Sequence, residues 1–119
     1  MARAGVNKNA VTVLITGDKL GRGDDRLGEI LMKSFLNTLW DSDPKPRRII
    51  FINSGVLLAA EGSGVLDTLE LLRQAGVSIL SCGTCLDFYE LRAKLQAGEV
   101  TKMPDIVAHL LAADKVVTI

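Results

Sequence analysis

At 119 residues the chain has the length of one domain, and with 48% hydrophobic residues it can bury a core. Its 14 basic and 14 acidic residues cancel, and it holds only three Phe, one Tyr and one Trp, which excludes the electrostatic footprint of a nucleic-acid binder or of a protein held on an anionic membrane. No apolar run approaches the roughly 20 residues of a membrane span, and nothing in Met1 to Ala10 resembles a signal peptide, so a soluble, cytoplasmic protein is expected.

Residues 1–10 read as a polar, flexible leader and residues 11–119 as a single domain. Val11 to Ile15 is a β-branched run of the kind that forms a strand buried on both faces, closed by Thr16 and Gly17. The loop from Gly17 to Asp25 leads into a helix capped by Asp24 or Asp25, with Leu27, Ile30, Leu31, Phe35 and Leu39 expected on its inner face. Pro44 and Pro46 close it. A strand follows over Arg48 to Ile52, then a loop that begins Asn53-Ser-Gly-Val56. Leu57 to Ala60 is apolar but has the period of neither strand nor helix. Ser63 is the expected cap of a helix that carries Val65, Leu66, Leu69 and Leu72 and stops at Gly76.

Val77 to Ser81 is the next strand, and it breaks at Cys82-Gly-Thr-Cys85 into a helix expected to point Phe88, Leu91 and Leu95 inward and to end near Gly98. Pro104 opens a last helix bearing Ile106, Val107, Leu110 and Leu111, and Lys115 to Ile119 forms a final strand. Helices between consecutive strands demand crossovers, so the class is α/β: a three-layer α/β/α arrangement around a mainly parallel sheet of four to five strands. Parallel strands put their carboxyl ends on one edge, where ligands of open α/β sheets bind. Three loops then gather around the cysteines, making Gly17, Asn53, Ser54, Gly55, Gly83 and Thr84 the candidate substrate-binding residues.

Cys82 and Cys85 are the candidate catalytic pair. In a reducing compartment they are expected as free, redox-active or metal-binding thiols rather than a structural cross-link. At a helix start, unpaired N–H groups and the dipole favour thiolate. Either Thr84 caps the helix with Asp87 completing a capping box, or Cys82 is itself the cap. The order of elements does not fit a thioredoxin, because the pair lies late in the chain and no proline precedes a later strand. Zinc is poorly supplied, since a closed site wants four ligands and only His109 joins the two cysteines; no metal and no other cofactor is expected. His109 reads as a solvated helix residue, and Asp87 and Tyr89 either touch a substrate at Cys82 or Cys85 or serve as capping and packing residues. In the loop from Gly17 to Asp25, Gly21-Arg-Gly-Asp-Asp-Arg26 lacks both the third glycine of a dinucleotide fingerprint and the Gly-Lys-Ser/Thr of a P-loop; Lys19 and Arg22 are candidates to attract an anionic sulfur species or a partner's acidic tail.

At Ser81-Cys-Gly-Thr-Cys-Leu-Asp-Phe-Tyr-Glu-Leu91, continued by Gly98-Glu-Val100, the chain resembles the DsrE/DsrF-like family, and within it the carboxy-terminal domain of YedF-type proteins, described as sulfurtransferase-like and linked to selenium metabolism. The resemblance extends through Phe51 to Val56, Glu61 to Ser63 and Val11 to Gly17. It implies a homo-oligomer, trimer or hexamer, and a cysteine at this strand end that carries sulfur as a persulfide, a role that falls by position on Cys82. Full-length YedF-type proteins add an amino-terminal TusA-like domain, which residues 1–10 cannot contain, so a TusA-like donor or acceptor is the implied partner. Three functions remain open on these residues: a sulfur or selenium carrier, a dithiol oxidoreductase, and a non-catalytic oligomeric module that binds a small anion or a partner.

Overall fold

The computed structural model describes residues 10–119; the expected flexible leader lies, but for Ala10, outside the described residues. Five strands run β1 (Val11–Ile15), β2 (Arg48–Phe51), β3 (Ser78–Cys82), β4 (Glu99–Thr101) and β5 (Lys115–Thr118). The helices between them are α1 (Asp25–Asp41), α2 (Leu66–Gln74), α3 (Gly83–Phe88) and α4 (Met103–Ala112), with 3-10 segments at Asn53–Ala59 and Arg92–Lys94. The strands lie side by side in the order β4-β3-β2-β1-β5, and every pairing is parallel. The fold is thus the three-layer α/β/α class expected from sequence, with all five strand ends on one edge.

The middle of the sheet is dry. Ile15, Ile49, Ile50 and Phe51 are fully buried, as β-branched and aromatic runs in a parallel sheet covered on both faces should be. Ala10 is tied to the last turn before β5, donating to the Asp114 carboxylate at 2.8 Å and accepting from the Asp114 N–H at 3.0 Å.

Four expectations are corrected. The inner face of α1 is Gly28, Met32 and Leu36, with Phe35 and Leu39 half-buried, whereas Leu27, Ile30 and Leu31 are exposed. The apolar arc of this helix is too wide for periodicity to fix its rotation. What fixes it is a close approach: the Leu20 N–H donates to Gly28 O at 3.0 Å, and a Cβ at residue 28 would lie 2.8 Å from Lys19 Cβ. Asp24 caps the helix as expected, accepting from the Leu27 N–H at 2.9 Å. Ser63 does not cap α2, which starts at Leu66; its hydroxyl accepts from the Val65 N–H, and Leu57 to Ala59 belong to the 3-10 segment after β2.

Helix α3 stops at Phe88 rather than near Gly98. The Leu91 N–H bonds to Leu86 O at 2.8 Å and the Glu90 N–H to Asp87 O at 3.0 Å, the paired bonds of a Schellman ending, with Glu90 in the left-handed region at φ 57°. Phe88 is consequently 80% exposed, and the chain released by this stop adds β4, a strand that the sequence pattern does not announce. Because an L side chain in that region costs about 1 kcal/mol, Glu90→Gly is expected to stabilise the exposed turn by up to about 1 kcal/mol, read as a higher urea midpoint at unchanged slope.

Candidate functional site

The site begins with the end of β2. Asn53 adopts φ 53°, a left-handed conformation that asparagine tolerates better than most residues, and this turns its N–H toward the next strand end. There it donates to Cys85 Sγ at 3.1 Å. Ser54 ties the same segment to β1: its hydroxyl accepts from the Asp18 N–H at 3.3 Å and sits against Gly17. Gly55 is the anchor of the group, since a Cβ there would meet Ile15 O at 2.5 Å; only glycine lets the segment lie this close to the end of β1. The loops after β1, β2 and β3 are therefore chained together at the carboxyl edge, Gly17 to Ser54 to Asn53 to Cys85.

The two thiols have different surroundings. Cys82, the last residue of β3, is 2% exposed and belongs to the core, while Cys85 is half-buried on the first turn of α3; both are free. Cys85 lines a hollow of about 350 Å³ together with Asn53, Thr84, Phe88 and Tyr89, whose two rings meet edge to face at 5.2 Å between centres. No lysine or arginine is among these lining residues. Of the sequence-derived candidates, Asn53, Thr84 and Cys85 reach the hollow; Gly17, Ser54 and Gly55 position it from behind, and Cys82 and Gly83 are buried beneath it.

Burial, then the hydrogen bond with Cys82, pushes the Cys85 thiol above its ordinary range, and the Asn53 N–H pulls the other way. The expected preference for thiolate is thus not met at Cys85. Helix α3 is only six residues long, Cys82 stands at its cap position without accepting from a first-turn N–H, and Asp87 forms no capping box. Asp87 is engaged by Arg92 instead, Nε to Oδ1 at 2.7 Å and Nη2 to Oδ2 at 3.0 Å, which holds its carboxyl below the usual range. In the Cys82→Ser chain, iodoacetamide should alkylate Cys85 more slowly at neutral pH than it does a free cysteine, with a rate that keeps climbing at pH values where a free thiol has levelled off. Because the folded chain holds the Cys85 proton more tightly than the unfolded one, stability falls as pH rises from the ordinary thiol range through the raised one.

Lys19, the lysine of the first loop expected to attract anions, is occupied: its Nζ lies 3.2 Å from Asp18 and 3.9 Å from Glu29. A larger hollow of about 470 Å³ beside it, between α1 and the 3-10 segment, is rimmed by Asp18, Glu29, Lys33 and Glu61 and holds no thiol. Among the described residues no three of His, Cys, Asp and Glu gather as metal ligands, and no helix is long and apolar enough to cross a membrane.

Neither a family model nor a curated protein matches the chain. Solved structures do. The ychN protein from E. coli superposes with a TM-score of 0.71 over 93% of this chain and 99% of its own, at 18% identity. The fold is ychN-like. A protein of unknown function from Methanobacterium thermoautotrophicum, MTH1491, matches with a TM-score of 0.68 over 92% of this chain and 97% of its own, also at 18% identity. Both have the DsrE/F-like fold that the sequence resemblance implied, and at this identity the likeness establishes the fold.

Two residues of the site carried no legible signal. Arg92 stands five positions after Asp87, a spacing that pairs nothing on a helix, and it reaches Asp87 only because the helix has already ended. Phe88 reads as core by its spacing from Leu91 and Leu95, and becomes an exposed wall of the hollow for the same reason.

Proposed function

We propose that the chain is a sulfur carrier of the DsrE/F-like kind, in which Cys85 receives a sulfane sulfur as a persulfide and Cys82 is the second thiol. The observation that carries this reading is the placement of Cys85 at a hollow of about 350 Å³, with a backbone donor on its sulfur and a second free thiol near enough to hydrogen-bond. The resemblance puts the acceptor role on Cys82, but a sulfur 2% exposed cannot meet a donor without opening the core, so the reading assigns acceptance to Cys85. In the loading step the Cys85 thiolate attacks the outer sulfur of a donor persulfide. The donor's sulfur–sulfur bond breaks and the donor departs as a thiolate.

The remaining features of this reading are a cytoplasmic setting, kinship with the YedF type, and a TusA-like protein as donor or acceptor. Selenium is an alternative cargo with the same chemistry. Assembly as a trimer or hexamer is supported by apolar side chains left exposed on two helices, Leu27, Ile30 and Leu31 on α1 and Met103, Val107 and Leu111 on α4. The neighbouring thiols also favour a second reading, a dithiol oxidoreductase, while unreactive thiols would favour a binding module. Intact mass after incubation with a small persulfide, under non-reducing conditions, separates them. A gain of one sulfur atom is the expected result. Loss of two hydrogens by the wild type, with no sulfur gained by the Cys82→Ser chain, would make the pair a redox dithiol, and an unchanged mass in both would end the carrier reading.

A further inference from the structure

Gly83 is buried between Cys82 and the first turn of α3, and the group that covers it is the guanidinium of Arg92: a Cβ on residue 83 would lie 2.6 Å from Arg92 Nη2. The guanidinium is fixed there by its two-pronged pair with Asp87, so a cation is laid against the peptide that leaves Cys82. We propose that Arg92 is the positioning residue of Cys82: pinned by Asp87 over the Gly83 peptide, its charge offsets the cost of ionising a buried sulfur and so equips Cys82 to resolve a persulfide on Cys85. This rests on the carrier reading for its purpose but not for its geometry.

The resolving step balances within the pair and its cargo. The Cys82 thiolate attacks Cys85 Sγ, a Cys82–Cys85 disulfide forms, and the bond from Cys85 Sγ to the terminal sulfur breaks. That sulfur leaves with the electron pair as hydrosulfide; the Cys82 sulfur is oxidised and the terminal sulfur reduced. A dithiol then returns the disulfide to two thiols. Without an adjacent positive charge, a sulfur buried as deeply as Cys82 resists becoming the thiolate this step needs.

The other groups around Cys82 are few. On α3 they are Cys85 and Asp87. From β2, the facing stretch Phe51 to Ser54 carries no charge. From β4, Cys82 lies opposite Thr101, with Glu99 opposite Leu80 and Lys102 next beyond the strand, both exposed. Arg92 and Asp87 therefore act on Cys82 as a unit, the carboxylate holding the guanidinium in place.

The test uses the Cys85→Ser chain, in which the ionisation midpoint of Cys82 is followed by the chemical shift of its Cβ carbon against pH. Arg92→Gln is expected to raise the midpoint by about one pH unit or more, and Arg92→Lys to restore most of the difference. Equal midpoints in all three chains, or an Arg92→Lys midpoint no nearer the parent chain than that of Arg92→Gln, would overturn the proposal; a structural role alone would not follow the charge. Hydrosulfide release from the persulfide-loaded wild-type chain is measured separately. If no persulfide loads, the carrier reading fails while the titration still decides the role of Arg92.

Discussion

Cys85→Ser is expected to abolish sulfur loading, whereas Cys82→Ser is expected to load as readily as the wild type and to keep its sulfur longer. The asymmetry follows from exposure and from the order of the two steps. Loading needs a thiolate that an outside persulfide can reach, and Cys85 on the wall of the hollow is that thiol; Cys82 lies in the core beneath it. Resolution needs a thiolate that can reach Cys85 from inside, which only Cys82 supplies. Intact mass should show no added sulfur on Cys85→Ser at any time. On Cys82→Ser it should show one added sulfur atom that decays more slowly than in the wild type, with no internal disulfide. Loading confined to Cys82 would reverse the assignment.

Gly55→Ala is expected to cost about 3 kcal/mol and to slow loading at neutral pH. The added Cβ would fall 2.5 Å from Ile15 O and 3.3 Å from Ile15 C, both backbone atoms at the end of β1, so the 3-10 segment must lift away. The same carbonyl accepts the Ile52 N–H at 3.0 Å, and the segment's first turn closes through the Gly55 N–H to Ile52 O at 2.9 Å. Lifting therefore breaks the join between β1 and β2 at the site and moves Asn53, whose N–H opposes the burial that disfavours Cys85 thiolate. Urea unfolding reads the stability, and the pH profile of Cys85 alkylation reads the lost donor. Gly64→Ala is the control: a Cβ there meets nothing within 4 Å, so its effect should stay within about 0.5 kcal/mol. A Gly55→Ala chain matching that control would show that the segment yields without breaking its contacts to β1.

The sheet was legible because its strands are short runs that only burial on two faces explains, such as Val11 to Ile15 and Arg48 to Phe51. The crossovers then followed from the helices between them. What escaped was set by contacts with no sequence period. Glu90 ends α3 in a conformation usually left to glycine, so the helix reads as longer than it is, and the three residues of β4 are too few to alternate. The docking of Lys19 and Leu20 on Gly28 chooses which side of α1 faces inward, and no heptad count can see it. At the site, the spacing of the two cysteines and the edge they share could be read directly, but which sulfur lies outside depends on where β3 stops and α3 begins. One residue of register there exchanges the core thiol for the exposed one.

The donor on Cys85 is a main-chain group, and that changes what mutagenesis can reveal. An alanine scan exchanges side chains and leaves every amide in place, so position 53 is silent to it unless the backbone itself bends. Asn53→Gly, which accepts the same φ of 53°, should leave the thiol's behaviour as it was, while a β-branched residue should alter it without contributing any atom to the contact. The chemistry at the sulfur is thereby tuned by the shape of the chain at residue 53, and sequences with different side chains there can share it.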